Sequence, residues 1–375
     1  MKGIQMNIAY IIALTDTNLL TSESSGIKKK IDWQVSALNR AGVETHIIKK
    51  EILPKVKRAF PFHSSTIDWY GLLEDMVQKY DGMYHRHVYT DYHMLSFFKK
   101  LKKIKPDFKI ILELPTYPYD QERRKNLLYY RDLIYRKYLY KYVDRIVIFD
   151  KKKMVWGIPA IQTHNGIDIH SVNIKRQKQR NDGLDICMVG DFEYWHGVDR
   201  LLQGFFDYYE DDGTEDIRIH LVGGVSNAQK VEEYRQLASK GLIKDRVFFY
   251  GNLVGEELDH VYDICHLAVA SLGRHRTGVM ISSEIKTREY MAKGIPFIYS
   301  TEIDVFRDAH EDFALQISID DQPVKMKDVL NFYNGLVDKY QCDELSNRIR
   351  KFAEDTVSID QVMKPVADYY LMMEE

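Results

Sequence analysis

Apolar positions along this chain come in short runs rich in β-branched residues, each followed by a longer stretch whose apolar positions recur at helical spacing. NIAYIIAL (7–14), VETHII (43–48), GMYHR (82–86), FKIILEL (108–114) and DRIVIF (144–149) have the length and composition of buried strands. The stretches 27–41 and 128–142 carry the helical pattern between them. The alternation restarts with LDICMVG (184–190), IRIHLVGG (217–224), RVFFYG (246–251), HLAVASLG (266–273) and IPFIYS (295–300). Strands alternating with helices predict an open parallel sheet covered on both faces, here twice over, so the fold class is α/β with two doubly wound domains. A polar, aperiodic stretch (164–183) separates the two patterns, which sets expected domains of 1–174 and 175–355. The end of the chain reads as helices over 326–336 and 345–373, and residues 356–375 are expected to pack back on the first domain. Ligands of open parallel sheets gather beyond the carboxyl ends of the strands, so the site is expected where two such domains face each other across a cleft.

Composition narrows the setting. With 45% hydrophobic and 29% charged residues the chain has ample material for two cores. The first apolar run stops after about eight residues and no small-residue cleavage site follows, so it reads as a buried strand rather than a leader. No stretch approaches the roughly 18 apolar residues of a membrane span. Cys187, Cys265 and Cys342 are far apart and suggest neither a disulfide framework nor a metal knuckle. These features predict a cytoplasmic protein.

The net charge of −2 hides a strong polarity. Residues 1–180 hold 33 Lys and Arg against 18 Asp and Glu, a net of +15, whereas the remaining residues hold 20 against 37, a net of −17. Such segregation predicts an anionic partner for the first half. No nucleic-acid recognition motif accompanies it, so an anionic membrane surface or a phosphorylated acceptor is the expected partner, with the protein peripheral on the inner face of the membrane.

Candidate chemistry lies at the strand ends. Ser24-Ser25-Gly26-Ile27 follows the first strand and opens a helix, where free N–H groups and the helix dipole attract an anion. Gly26 and Lys28 are therefore acceptor-binding candidates. In the second half Val189-Gly190 ends a strand and leads through Asp191-Phe192-Glu193-Tyr194-Trp195-His196-Gly197 into a helix. The Asn165-Gly166-Ile167-Asp168 turn, Leu221-Val222-Gly223-Gly224, Tyr250-Gly251 followed by Glu256-Glu257-Leu258, and Glu289-Tyr290-Met291-Ala292-Lys293-Gly294-Ile295-Pro296 accompany it in order. Together these motifs resemble the family 4 glycosyltransferases over roughly residues 165–300.

The resemblance implies a GT-B fold with two Rossmann-like domains. It also implies a retaining, metal-independent hexosyltransferase whose second domain holds a nucleotide sugar, such as a UDP-sugar, as substrate, with no further cofactor. The acceptor it implies is a glycan or an undecaprenyl-diphosphate-linked oligosaccharide of bacterial surface polysaccharide synthesis. Glu289 matches the family's second motif glutamate, which holds the ribose hydroxyls of the nucleotide. Ile281 stands at the first, with Glu284 nearby as a candidate catalytic carboxylate. Asp191 and His196 replace the usual Arg and Lys of the diphosphate site. Arg274, Arg276 and Lys286 are the substitute cations, and Gly190, His196 and Gly223 complete the donor-binding candidates. In the first half, Glu113-Leu114-Pro115-Thr116-Tyr117-Pro118-Tyr119-Asp120 resembles a signature of the surface-polysaccharide branch. Glu113 and His87 are its catalytic candidates, and Arg86, Tyr117, Tyr119 and Asp120 its acceptor-binding candidates. The altered carboxylate and cation positions keep open a second reading, a non-catalytic nucleotide-sugar-binding subunit of a glycosylation complex.

Overall fold

β1 (Met6–Leu14) is buried on both faces, and that one strand sets the layering of the first half. Its Ile8, Tyr10 and Ile12 join a core with α1 (Gly26–Arg40), while Ala9 and Ile11 point the other way into a second core. The period of two in a strand puts alternate residues on opposite faces, so a continuous apolar run marks a strand covered twice. The chain continues through β2 (Val43–Glu51), α2 (Leu73–Lys79), β3 (Gly82–Arg86), α3 (Tyr92–Ile104) and β4 (Lys109–Glu113). Then follow α4 (Leu127–Tyr135), a 3₁₀ segment Arg136–Lys141, β5 (Arg145–Ile148), β6 (Met154–Val155) and β7 (Ile158–Gln162). The seven strands lie in the order β2-β1-β3-β4-β5-β7-β6, all parallel except the β6–β7 pair. The hydrophobic pattern predicts neither β6 nor β7, because Pro159 interrupts the second and the first is only two residues long.

The computed structural model describes residues 6–14, 26–53, 65–114, 119–120, 125–175, 183–224, 228–306 and 311–372. These divide into two compact units, Met1–Gly166 with Ile359–Glu375, and Ile167–Ser358. The divisions fall at 166/167 and 358/359, against the expected 174/175 and 355/356. The polar stretch is already part of the second unit: Ile167 donates its N–H to the Val357 carbonyl and Ile169–Ser171 forms a 3₁₀ turn.

The second unit runs β8 (Leu184–Gly190), α5 (Val198–Glu210), β9 (Ile217–Gly223), α6 (Ala228–Ala238), β10 (Val247–Gly251), α7 (Glu256–Ile264) and β11 (Leu267–Val269). It continues through β12 (Ile281–Ser282), α8 (Ile285–Lys293), β13 (Phe297–Tyr299), β14 (Glu302–Ile303), β15 (Ala314–Gln316), α9 (Met326–Lys339) and α10 (Cys342–Thr356). Six parallel strands take the order β10-β9-β8-β11-β13-β15, so the winding reverses between β8 and β11. α5 shows why the helices bind this sheet: Val198, Leu201, Leu202, Phe205, Tyr208 and Tyr209 make one buried stripe at helical spacing.

The helical pattern over 345–373 breaks at Val357–Ser358, and α11 (Ile359–Leu371) belongs to the first unit. Ile359, Met363, Val366, Ala367 and Tyr370 enter the core shared with α1, and the Tyr370 hydroxyl donates to the Met83 carbonyl at 2.7 Å. Counted over residues 1–166 and 359–375, the first unit holds 30 basic against 21 acidic residues, a net of +9, and the second a net of −11. The polarity is therefore smaller than the cut at residue 180 implies. No helix among the described residues is long and apolar enough to cross a membrane. Replacing Tyr370 by Ala empties a fully buried aromatic site, and we expect a loss of about 3–5 kcal/mol, read as a lower urea midpoint of the transition that reports the first unit.

Candidate active site

In a sheet wound in the order of the second unit, the point where the winding reverses leaves a crevice between two strand ends. Here those ends are Gly190 of β8 and the residues that follow β11. The β8 and β9 ends run together, with Gly190 paired to Gly223 and the Gly224 N–H donating to the Gly190 carbonyl at 3.0 Å. A Cβ on Gly223, whose φ is +116°, would strike that carbonyl oxygen, so no side chain fits. Past Gly190 the chain makes a 3₁₀ turn, Tyr194–His196, and enters α5 through Gly197 at φ +71°. Main-chain bonds from Leu272 N to His196 O (2.8 Å) and from Gly273 N to Trp195 O (3.2 Å) fasten the loops after β8 and β11 to each other. The buried guanidinium of Arg200 braces the same junction, donating to the carbonyls of Leu272, Ser318 and Gln322.

Lys286, in the first turn of α8, points back to this junction. A Cβ on Gly190 would lie 3.0 Å from Lys286 Nζ and 3.3 Å from His196 Cε1, so the ammonium, the imidazole and the strand end converge. Lys286 Nζ is buried and has no hydrogen-bond partner among the described residues; the same holds for His196 Nδ1. Burial, reinforced by the charge of Arg274, lowers the pKa of Lys286, against the pull of Glu284, Glu289 and Asp191. Burial, then the charges of Lys286 and Arg274, push His196 down to about 2, so its ring is neutral at physiological pH. An unpaired buried cation is costly unless an anion completes it, and this one sits where the architecture places anionic ligands.

The other donor candidates divide. Glu284 precedes α8, accepts from the Ser271 N–H at 3.2 Å and lies 3.3 Å from Arg274 Nε. Glu289, one turn beyond Lys286, accepts from the Tyr262 hydroxyl at 3.2 Å. Arg276, expected to meet a diphosphate, is already engaged. It forms a bidentate pair with Asp199 (3.0 and 2.7 Å), a second ion pair with Asp321 (2.7 Å) and a bond to the Tyr194 carbonyl. Those two carboxylates make it a brace between the loop after β11 and the start of α5. Asp199, in a helix first turn, and the acidic pair Asp320-Asp321 carried the sequence signal for this role.

In the first unit the candidates form a closed electrostatic cluster. Glu113, at the end of β4, is fully buried and accepts from Lys30 (3.0 Å), Gln34 (2.9 Å), Tyr84 (2.6 Å) and Arg86 (3.1 Å). Burial alone would raise its pKa, but Lys30 and Arg86, with the bonds from Tyr84 and Gln34, outweigh it and hold the group at about 2. Burial lowers Lys30 to about 8 in spite of Glu113. Glu113, a catalytic candidate in the sequence, is here the buried counter-ion of Lys30 and Arg86, with four donors directed at its two oxygens. The i, i+4 spacing of Lys30 and Gln34 on α1 was the sequence signal for its partners.

His87 is buried after β3. Its Nε2 lies 3.4 Å from Thr90 Oγ1 and 3.7 Å from Asp132, and its Nδ1 is unpaired among the described residues. Tyr119, read as a sugar platform, is buried against His87, Trp156 and Arg136 and donates its hydroxyl to the Val88 carbonyl at 2.7 Å. Asp120 is held bidentately by Arg136 at 2.7 and 2.9 Å. Both therefore pack against Arg136, Tyr119 buried and Asp120 at the surface. Gly26 opens α1, and Lys28 pairs with Asp32 one turn on at 2.6 Å. Tyr117 and the Ser24-Ser25 turn lie outside the described residues.

The Glu113 cluster has a measurable signature. Its folded pKa of about 2 lies below the ordinary 4.5, so between these values the folded state binds fewer protons than the unfolded chain. The stability it contributes is complete above pH 4.5 and disappears as pH falls through about 2. Glu113→Gln should cost about 3–5 kcal/mol at neutral pH by stranding Lys30 and Arg86, and should flatten the acid limb of a plot of unfolding midpoint against pH.

Comparison with known proteins completes the assignment. No curated protein matches the chain in sequence. Among solved structures it is similar to HepE of Anabaena in complex with UDP-glucose, at 11% identity and a TM-score of 0.64, covering 97% of this chain and 99% of that one. A glycosyltransferase of Rickettsia africae gives 9% identity and a TM-score of 0.65 over 99% and 100% of the two chains. The lipopolysaccharide outer core galactosyltransferase WaaB gives 16%, 0.59, and 98% and 100%. At such identities the likeness carries the fold alone, two parallel-sheet α/β units as in GT-B glycosyltransferases. The family model for glycosyl transferases group 1 matches residues 171–364, more than half of the 375, and the chain belongs to that family.

Proposed function

We propose that this protein transfers a hexosyl group from a UDP-sugar to a lipid-linked or oligosaccharide acceptor, with retention of configuration and without a bound metal. The acceptor of this reading is an undecaprenyl-diphosphate-linked glycan of surface polysaccharide synthesis, met at the cytoplasmic face of the membrane. The observation that carries it is the unpartnered, buried ammonium of Lys286 beside Gly190, at the reversal point of the second sheet. When the bond between the sugar C1 and the diphosphate breaks, the electron pair leaves with the diphosphate and negative charge grows on its oxygens. A cation and an N–H donor fixed there in a desolvated crevice stabilise that charge more than they stabilise the bound substrate. In this reading Lys286 meets the diphosphate, neutral His196 donates one N–H to it, and Glu289 accepts from the ribose hydroxyls. The structures that HepE forms with UDP-glucose and UDP support the choice of nucleotide, and the galactosyltransferase WaaB supports a hexose.

The second reading, a nucleotide-sugar-binding subunit without turnover, draws on the saturation of Glu113, Asp120 and Arg276 by their own partners. Hydrolysis or transfer of labelled sugar by the purified protein decides against it.

Thermal unfolding without divalent metal tests the donor site. UDP at 100 times its dissociation constant should stabilise the protein by about 2.7 kcal/mol. Lys286→Ala should weaken UDP about 10- to 100-fold and leave uridine almost unaffected, whereas Glu289→Ala should weaken both; equal loss of the two ligands in Lys286→Ala would remove Lys286 from the diphosphate. A pH series adds an independent check. Because burial lowers Lys286 and a diphosphate favours its charged form, affinity for UDP should fall with rising pH well before the ordinary lysine value of 10.5. Titration calorimetry in two buffers should show protons taken up on binding over that same range.

A further inference from the structure

α4 and the 3₁₀ segment after it invert the usual amphipathic order. Asn126 caps the helix by accepting from the Tyr129 N–H at 3.1 Å. The inward side then buries charges: Arg131 donates to Thr66 Oγ1 at 3.0 Å, and Arg136 pairs with Asp132 and Asp120. The outward side shows the apolar residues, with Leu127, Tyr130, Ile134, Tyr138 and Tyr140 each between 44% and 64% exposed. Leu127, Tyr130 and Ile134 stand at i, i+3 and i+7, on one stripe of the helix. Lys125, Lys137 and Lys141 are exposed along the same segment, and no exposed residue between 125 and 141 carries negative charge. Lys141 lies over the rings of Tyr138 and Tyr140, at 5.3 and 6.0 Å from their centroids.

A second segment reaches the same place. A Cβ on Gly157 would lie 3.6 Å from the Cβ of Tyr140, so the 151–157 turn packs beside the end of the 3₁₀ segment. That turn brings Lys151, Lys152 and Lys153 followed by Met154, all exposed.

We propose that this face of the first unit is the surface by which the protein lies on an anionic membrane. It deepens the membrane reading of the proposed function and rests on it. Contiguous exposed apolar area marks a contact surface, and the composition selects the partner. Tyrosine rings with polar tips, single aliphatic side chains and lysines with flexible stems suit a water–lipid boundary, where rings sit among the headgroups and ammonium groups meet lipid phosphates. A protein partner of matched charge would need an acidic patch of its own, whereas an anionic bilayer supplies that charge everywhere along the face.

The test uses the full chain and vesicles of phosphatidylcholine with or without phosphatidylglycerol. The wild type should sediment with the anionic vesicles at low salt and much less with the neutral ones. The triple variant Leu127→Ser, Tyr130→Ser, Ile134→Ser and the charge variant Lys125→Glu, Lys137→Glu, Lys141→Glu should each lose at least about tenfold in partition. Both change exposed side chains only, so their unfolding midpoints and their stabilisation by UDP should equal those of the wild type. Wild-type protein that ignores anionic vesicles, or variants that bind them as well as it does, would overturn the proposal. So would a concentration-dependent dimer of the wild type, lost in the serine variant, without vesicle binding. Stabilisation by UDP is read on the same samples, and its absence would strike the donor-site reading while leaving the vesicle result standing.

Discussion

A buried ammonium group without a partner is the feature around which the second unit is arranged. Desolvating the charge of Lys286 is unfavourable, and among the described residues no hydrogen bond offsets it. The surrounding structure keeps it in place all the same. Gly190 and Gly223 bring two strand ends so close that no side chain can enter, which opens the space into which Lys286 points. The loops on either side are fastened by their own main chain, by Arg200, and by Arg276 with Asp199 and Asp321. Rigidity of this kind keeps the cation from folding away onto a neighbouring carboxylate, and keeps the crevice matched to an anion from outside.

The first unit makes the contrast. It too collects charge at the ends of its strands, with Glu113 and Lys30 buried and Arg86 partly so. There, however, each charge answers another, and Tyr84 and Gln34 fill the remaining positions on the carboxylate. Saturation separates a group that holds the fold from one available to a ligand. By that measure Glu113, Asp120 and Arg276 stabilise their loops, while Lys286, and His87 with its unpaired Nδ1, keep bonding capacity in reserve.

Residue pattern alone conveyed the winding of both sheets, because β8 and β1 are apolar on both faces and only a doubly covered strand explains that. It also offered Lys286 as a candidate cation, and the structure puts its Nζ beside Gly190 and His196. What it missed has a common cause. β6 and β7 depend on pairing with each other and with β5, a non-local fact invisible in a run of five residues containing Pro159. The partners of Glu113 come from α1 and β3, up to 83 residues away in sequence, so a carboxylate exposed at a strand end and one neutralised from all sides look identical in the chain. Tyr119 misled in the same way: a ring beside two prolines suggests a sugar platform, but a partner contributed by Arg136 turns it inward.

Net charge illustrates how far a sum over residues can stray from a surface. Cut at residue 180, the first half carries +15; assigned by unit, it carries +9, because residues 167–180, net +3, belong to the second unit and residues 359–375, net −3, to the first. The sum also counts Arg131 and Arg136, which are buried against carboxylates and present no charge to solvent. What remains outside is the apolar stripe of α4 with Lys125 before it and Lys137 and Lys141 after it. Tyr129 and Leu139 of this segment face inward with the ionic residues, but Leu127, Tyr130 and Ile134 stay exposed, which is unfavourable in water unless something covers them. The lysines around that stripe limit what the cover can be, since a partner must offer apolar depth and negative charge together. A bilayer with anionic headgroups offers both at the scale of a single helix face.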